Sequence, residues 1–331
     1  MFTIPQYTAA TPMELALARL DDTRRMLALG RKNYTGLLLR VGDWFSHRWL
    51  GKADFPYADE LRKLAGSVDE AGVLFLNLSY EWGCTTGVAH DEKGNPVLLR
   101  TLDWPLKGLG EQLVCARFSG PAGDYLSLTY PGFLGAHTVL APGRFAAALN
   151  QAPLPHRGAT MVGDWFLSRL ATGRSCHCPA TFLLRQAAET CPDFDSLVEL
   201  LSSAPLCIPA IFIVSGTQPG QGVVVEREYE RAQVYGYTNE GEMPVATNHW
   251  HSAPWPGRDR PTASRERAQA MRTLFSAQGA QAVGNGFAWL TPPIMNRETR
   301  IAAEMDVAAG SLRAVAVEGN TILSHELRIS A

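Results

Sequence analysis

The stretch Cys84-Thr85-Thr86-Gly87-Val88-Ala89-His90-Asp91-Glu92-Lys93-Gly94-Asn95-Pro96-Val97-Leu98-Leu99-Arg100-Thr101-Leu102-Asp103-Trp104-Pro105 decides how this chain is organised. Gly94-Asn95 is a strong turn dipeptide between two β-rich runs, so residues 85–91, 92–95 and 96–104 read as strand, turn and strand. Cys84 begins the hairpin. Arg100 and Asp103 lie 16 and 19 residues after it, on the returning strand, which carries both charges back towards the cysteine. A thiol that is to attack an amide needs a lowered pKa, and a nearby cation favours the thiolate. Arg100 can supply the cation, and Asp103 can orient a neighbouring amine.

The texture changes on either side of this hairpin. Residues 12–83 read as mainly helical: Pro12 precedes apolar residues at helical spacing, and Gly30 is a plausible stop. Residues 74–80 (LFLNLSY) are short and apolar enough to leave helix or strand undecided. After the hairpin come short strands over 111–118, 125–130, 136–141 and 145–150, then helices over 161–173, 180–191 and 194–204, the last capped by Asp193. Strands resume at 210, with one helix over 264–278 before the final strands. Strands and helices in groups imply an α+β layered fold and not a strictly alternating doubly wound sheet.

The 331 residues are 46% hydrophobic with a formal net charge of -2, which argues against a nucleic-acid partner and towards a small-molecule one. No run approaches the roughly 18 apolar residues of a membrane span, and the N-terminus lacks a secretory pattern, so a cytoplasmic protein is expected. Six cysteines, at 84, 115, 176, 178, 191 and 207, do not form a disulfide framework in so long a chain. Cys176-His177-Cys178 lacks the partner motif that a four-ligand zinc site requires, so no metal is expected there. Self-association is left open.

With these residues in view, the chain is similar to a known family. The pattern C-T-[ST]-x-V-A-x-D-x-x-G, followed by Arg100 and Asp103, resembles the start of the mature β-subunit in the acid ceramidase and N-acylethanolamine acid amidase family. That family stands with choloylglycine hydrolase and penicillin V acylase among the N-terminal-nucleophile hydrolases. Asn77-Leu78-Ser79-Tyr80-Glu81 resembles the N-x-x-Y-E run before the family's cleavage point. Tyr130-Pro131-Gly132-Phe133-Leu134-Gly135, then Pro142-Gly143-Arg144-Phe145 and Leu149-Asn150, resemble its P-G-x-x-G…P-G-x-F…N segment. Thr247-Asn248 matches its T-N motif, and Pro293-Ile294-Met295-Asn296 with Asp306-Val307 resembles its closing stretch. The motifs stand in the family's order over residues 75 to 317.

The resemblance implies a four-layer αββα sandwich, two stacked antiparallel sheets flanked by helices. It implies a mainly helical propeptide or α-chain of residues 1–83, which stays associated, and a catalytic β-chain of residues 84–331. The cleavage site is Gly83-Cys84, and the freed amine of Cys84 serves as base to its own thiol. Asp103 would hold that amine, Arg100 would sit by the thiol, and Asn150 and Asn248 would act as the family's active-site asparagines, amides suited to an oxyanion hole. For the family's late arginine the run Ser264-Arg265-Glu266-Arg267 suggests Arg265, with Arg260 as the alternative. Trp104, Phe133 and Trp250 are candidates to line an acyl pocket.

The implied reaction is hydrolysis of a linear N-acyl amide with a lipid-like or bulky acyl group, needing no metal or organic cofactor. Two alternatives stay open: an acyltransferase of the isopenicillin N type, and a non-catalytic relative that binds an acyl ligand. His249 and His251 also raise a Cys-His nucleophile pair, although that mechanism has no use for Arg100 and Asp103.

Overall fold

The computed structural model describes residues 1–79, 82–237, 242–260 and 263–330; Tyr80 and Glu81, in the run before the expected cleavage point, lie outside the described residues. The helices are α1 (Pro12–Ala18), α2 (Leu20–Asn33), α3 (Gly36–Leu50), α4 (Ala58–Val68), α5 (Val73–Leu78), α6 (Met161–Arg174), α7 (Ala180–Thr190), α8 (Phe194–Ser203) and α9 (Ser264–Gln278). The strands are β1 (Gln6–Thr8), β2 (Gly83–His90), β3 (Pro96–Asp103), β4 (Val114–Phe118), β5 (Tyr125–Thr129), β6 (Thr138–Ala141), β7 (Phe145–Gln151), β8 (Ala210–Ser215), β9 (Gly222–Glu228), β10 (Arg231–Gly236), β11 (Val245–Ala246), β12 (Thr299–Asp306), β13 (Ser311–Glu318), β14 (Thr321–Ile322) and β15 (Leu327–Ser330).

They form two stacked sheets. One runs β1-β4-β5-β6-β7-β8-β9-β10; the other runs β11-β2-β3-β12-β13-β14, with β15 also on β13. The largest apolar cluster joins both sheets, from Cys84, Val88 and Leu102 to Leu149, Ile211 and Val225. Helices α7 and α8 cover the first sheet and α9 covers the second, giving the expected αββα layers. Strand β7 reads as an unbroken buried run because both of its faces are covered. Of the ambiguous residues 74–80, Leu74 to Leu78 lie in α5, packed on α3 and α4, Ser79 is its extended cap, and Tyr80 lies outside the described residues.

Strand alternation decides what meets the hairpin. Leu102 and Arg100 pair with Cys84 and Thr86 and share their face, towards β7. Gly83, Thr85 and Gly87 face α9 instead. A Cβ on Gly87 would lie 2.6 Å from the Phe275 ring and 3.4 Å from Met271, so glycine is what lets α9 sit this close. Gly87→Val should lower stability by about 1–3 kcal/mol through overpacking, read as a fall in melting temperature with chain mass unchanged.

The N-terminal segment is tied to the rest of the molecule. β1 pairs in parallel with β4, a strand the sequence reading did not foresee. Helices α1, α4 and α5 share an apolar cluster with Leu134, Phe182 and Cys207. Arg185 on α7, fully buried, binds both Glu60 oxygens at 2.6 and 3.0 Å and lies 4.0 Å from the Tyr57 ring centroid.

Asp164 near the start of α6 accepts from the main-chain N–H of Gly158 at 2.5 Å and of Arg157 at 2.7 Å, and from Arg258 Nε at 2.7 Å. The Gly158 bond, ahead of Arg258 and Arg157, holds its carboxyl down from 3.8 to about 2. A folded pKa below the unfolded one stabilises above the unfolded value and is lost as pH falls through the folded one. Between pH 4 and 2 the wild type should therefore lose melting temperature faster than Asp164→Asn, a difference that calorimetry would read.

Candidate active site

Cys84 lies one residue inside β2, wholly buried, with its thiol directed between the sheets. Arg100 Nη2 donates to its Sγ at 3.4 Å and to the Leu149 carbonyl at 3.1 Å. Nη1 of the same guanidinium donates to Asn150 Oδ1 at 2.8 Å and to Thr86 Oγ1 at 3.3 Å. Thr86 Oγ1 itself donates to Asn150 Oδ1 at 2.9 Å. The guanidinium thus spans from β3 to β7 and fixes the distance between the sheets at the thiol.

Strand β11 pairs only Val245 and Ala246 with β2, at Gly87 and Thr86. Where a longer strand would continue, Asn248 stands beside Cys84, and its Oδ1 accepts the Cys84 N–H at 2.9 Å. Asn248 is held by its own N–H to Ser264 Oγ at 2.8 Å and by Nδ2 to the Gln151 carbonyl at 2.8 Å. The second hydrogen of Nδ2 is not needed for that bond. Asn150 differs: its Nδ2 donates to the carbonyls of Ala246 at 3.0 Å and Thr247 at 3.2 Å. Its amide donors are spent on positioning in this state, so of the two asparagines Asn248 is the one with a hydrogen to offer.

Asp103 pairs with Gly83 across the hairpin and lies on the opposite face of the sheet from Arg100 and the thiol. Its Oδ1 accepts from Thr299 Oγ1 at 2.8 Å and its Oδ2 from Asn296 Nδ2 at 2.9 Å. A Cβ placed on Gly83 would lie 3.6 Å from Asp103 Oδ2, so the carboxylate abuts the expected cleavage point. A carboxylate fixed by two neutral donors keeps its place beside any amine released there.

The late arginine at this cluster is Arg267, not Arg265. Arg267, fully buried, donates from Nη1 to the Cys84 carbonyl and to Thr85 Oγ1 at 2.8 Å, and from Nη2 to Asn248 Oδ1 at 2.7 Å. It also faces Asp103 Oδ2 at 3.3 Å. Arg265 is 67% exposed and pairs with Asp259 at 2.8 Å. Arg260 Nε donates to the Ala152 carbonyl at 3.2 Å, in the segment after β7. The sequence contained a signal for Arg267: with Met271 and Phe275 it repeats every four residues along α9, on the face that packs on β2.

Burial raises the Cys84 thiol above its ordinary value, and Asp103 adds to that, while Arg100 and Arg267 pull it down. Arg100 was expected to give a thiolate; in the intact chain desolvation outweighs it, so the thiol is protonated. His249 and His251 are engaged elsewhere. Nδ1 of His249 lies 2.8 Å from Ser264 Oγ, and Nδ1 of His251 lies 3.1 Å from Arg272 Nη2. Among the described residues the hydrogen bonds of the thiol run to Arg100 and the Leu149 carbonyl.

Of the aromatic candidates, Trp104 and Phe133 belong to the buried cluster around the thiol, and Trp250, half-buried, packs against that cluster and meets Trp255 edge-on at 5.2 Å. Beside Phe133 lies His137, a site residue that sequence reading did not single out. Burial, and then Arg100, push its pKa down to about 3, so it is neutral. Among the described residues no group of three or more His, Cys, Asp or Glu is arranged to hold a metal, and no helix is long and apolar enough to cross a membrane.

Comparison with known proteins finds similar chains and a similar fold. Over 179 residues, 52% of its length, the chain is 30% identical to the N-acylethanolamine-hydrolyzing acid amidase of Cavia porcellus, covering 48% of that protein. Acid ceramidase of Homo sapiens is 25% identical over 215 residues, 59% of this chain and 53% of the ceramidase. The chain thus spans about half the length of the curated relatives it matches. Among solved structures, a Caenorhabditis elegans N-acylethanolamine-hydrolyzing acid amidase ortholog superposes with a TM-score of 0.56 at 22% identity, over 68% of this chain and 93% of that one. At that identity the likeness establishes the fold. No family model matches the chain.

Proposed function

We propose that this chain, a homologue of the N-acylethanolamine-hydrolyzing acid amidases and acid ceramidases with the fold of the N-terminal-nucleophile hydrolases, cuts itself between Gly83 and Cys84 and then hydrolyses a linear N-acyl amide through Cys84. The observation that carries this reading is the convergence on one residue. The Cys84 N–H goes to Asn248, its carbonyl to Arg267, and its thiol to Arg100, all with Asp103 against Gly83. A merely structural buried cysteine has no use for two guanidinium groups and a carboxylate.

In self-cleavage the Cys84 sulfur adds to the Gly83 carbonyl carbon. The C–N bond breaks as nitrogen takes up the thiol proton, leaving a thioester to a free α-amine. Water then attacks the thioester carbon, the C–S bond breaks, and Gly83 ends as a carboxylate. The amine, with a reference pKa of about 7.7–8.0, accepts the thiol proton in later turnovers. A substrate amide follows the same course: sulfur bonds to the acyl carbon, the amine leaves with the proton, and water releases the acid. Arg267 and Asp103 hold the new N-terminus, and Asn248 offers a hydrogen bond to the oxyanion.

Residues 1–83 form the α-chain and 84–331 the β-chain in this reading. The pairing of β1 with β4 and the Arg185–Glu60 contact support their continued association. The test is intact mass and N-terminal sequencing of the purified protein, followed by an acyl-amide screen. Two fragments, the larger beginning Cys84-Thr85-Thr86, are expected. A chain still whole after incubation from acidic to neutral pH would overturn the reading.

A further inference from the structure

The hairpin register puts Trp82 on the face of Cys84. Cys84 pairs with Leu102 and Gly83 with Asp103; Trp82 directly precedes β2 and Trp104 directly follows β3, and extended side chains two apart share a face about 7 Å apart. The Trp82 and Trp104 rings lie 5.1 Å apart, and Trp82 is only 2% exposed. Trp104 meets Tyr130 edge-on at 6.4 Å, Tyr130 meets His137 at 5.9 Å, and His137 stacks on Phe133 at 5.2 Å. The indole two residues before the scissile bond thus fills one end of an aromatic chamber beside the thiol.

This chamber has polar ends that the protein does not satisfy. Trp104 Nε1, the Tyr130 hydroxyl and His137 Nε2 are buried without a hydrogen-bond partner among the described residues. Gln151 accepts the Trp82 N–H at 3.1 Å, yet its buried Nε2 is also without a partner. Buried polar groups are almost always paired, so a cluster of orphans in one wall marks a place for something else.

Chemistry connects Trp82 to the substrate. In self-cleavage the acyl carbon is that of Gly83, so Trp82 lies on the acyl side of the bond that breaks. A substrate acyl group attacked by the same sulfur must extend along the same path. We infer that the site filled by Trp82 in the uncut chain is the acyl pocket of the cut enzyme, and that it takes a flat aromatic acyl group carrying an oxygen substituent. The ring replaces the indole against Trp104, and the oxygen pairs with Tyr130 and His137. Saturated chains of equal size leave those groups unpaired. This inference rests on the self-cleaving amidase reading.

The test uses cut wild-type enzyme and coumarin amides that share one amine, with 4-hydroxyphenylacetyl, phenylacetyl, octanoyl and palmitoyl acyl groups. A kcat/KM for 4-hydroxyphenylacetyl at least about 10-fold above octanoyl is expected. Tyr130→Phe and His137→Phe should narrow the ratio of hydroxyphenylacetyl to phenylacetyl kcat/KM, each ratio being read within one variant. Saturated chains turned over as fast or faster would overturn the inference and leave the amidase reading standing. No turnover of any amide by cut enzyme would sink both. In the precursor, Trp82→Phe should cut at close to the wild-type rate and Trp82→Ala about 10-fold more slowly. An alanine variant cutting at full rate would show that the ring is not seated as an acyl group is.

Discussion

Cys84→Ala should run as a single uncut chain of 331 residues and hydrolyse no amide. The methyl group cannot add to the Gly83 carbonyl, and no amine is released to act as base, so both activities vanish from one change. The side chain is fully buried, but alanine loses only the small sulfur, and melting temperature should stay close to the wild type. Cys84→Ser separates the two roles of the residue: a hydroxyl can cut slowly, and the product would carry an N-terminal serine. Mass spectrometry over hours reads all three outcomes. Cutting by the alanine variant would mean that another protease makes the break, and the case for Cys84 as nucleophile would fall with it.

The second large effect separates two arginines two residues apart. Arg267→Ala should slow self-cleavage and amide turnover by at least about 10²-fold, the scale of losing one donor from a preorganised site. Its guanidinium joins the Cys84 carbonyl, Thr85, Asn248 and Asp103, so its removal unpairs Asp103 on that side and frees Asn248 to turn. Arg265→Ala should change either rate by no more than about twofold, because an exposed ion pair contributes little. Arg267→Lys keeps the charge but not the fork, and is expected to fall between. Melting curves distinguish a lost site from a lost fold: Arg267→Lys should remain folded while cutting slowly. Equal effects at both positions would place the function of this run in its net charge.

Much of the site was legible because it is local. The turn at Gly94-Asn95 sets the hairpin register, and that register alone brings residues 100 and 103 alongside 86 and 83. Strand parity carries more than the hairpin reading used. Positions 100 and 103 differ by an odd number, so one charge faces the thiol and the other faces α9. Asn150 and Asn248 came from motif resemblance, and the structure brings both to the site, although their amides are used differently. Choosing Arg265 followed a motif match, whereas the four-residue repeat of Arg267, Met271 and Phe275 pointed to the buried face of α9.

The sequence by itself determined the α+β layering, the hairpin and the charges that come with it, because each depends on turn chemistry, strand period or residues close in the chain; the proposal of Cys84 as nucleophile came from motif resemblance. Only the tertiary structure decided that Arg267 arrives from α9, how the Asn248 amide is used, and that Trp104, Tyr130 and His137 form the chamber that encloses Trp82. It also decided the protonation of Cys84. A sequence shows a thiol near an arginine, but the balance between that charge and desolvation is set by how completely two sheets close over the sulfur.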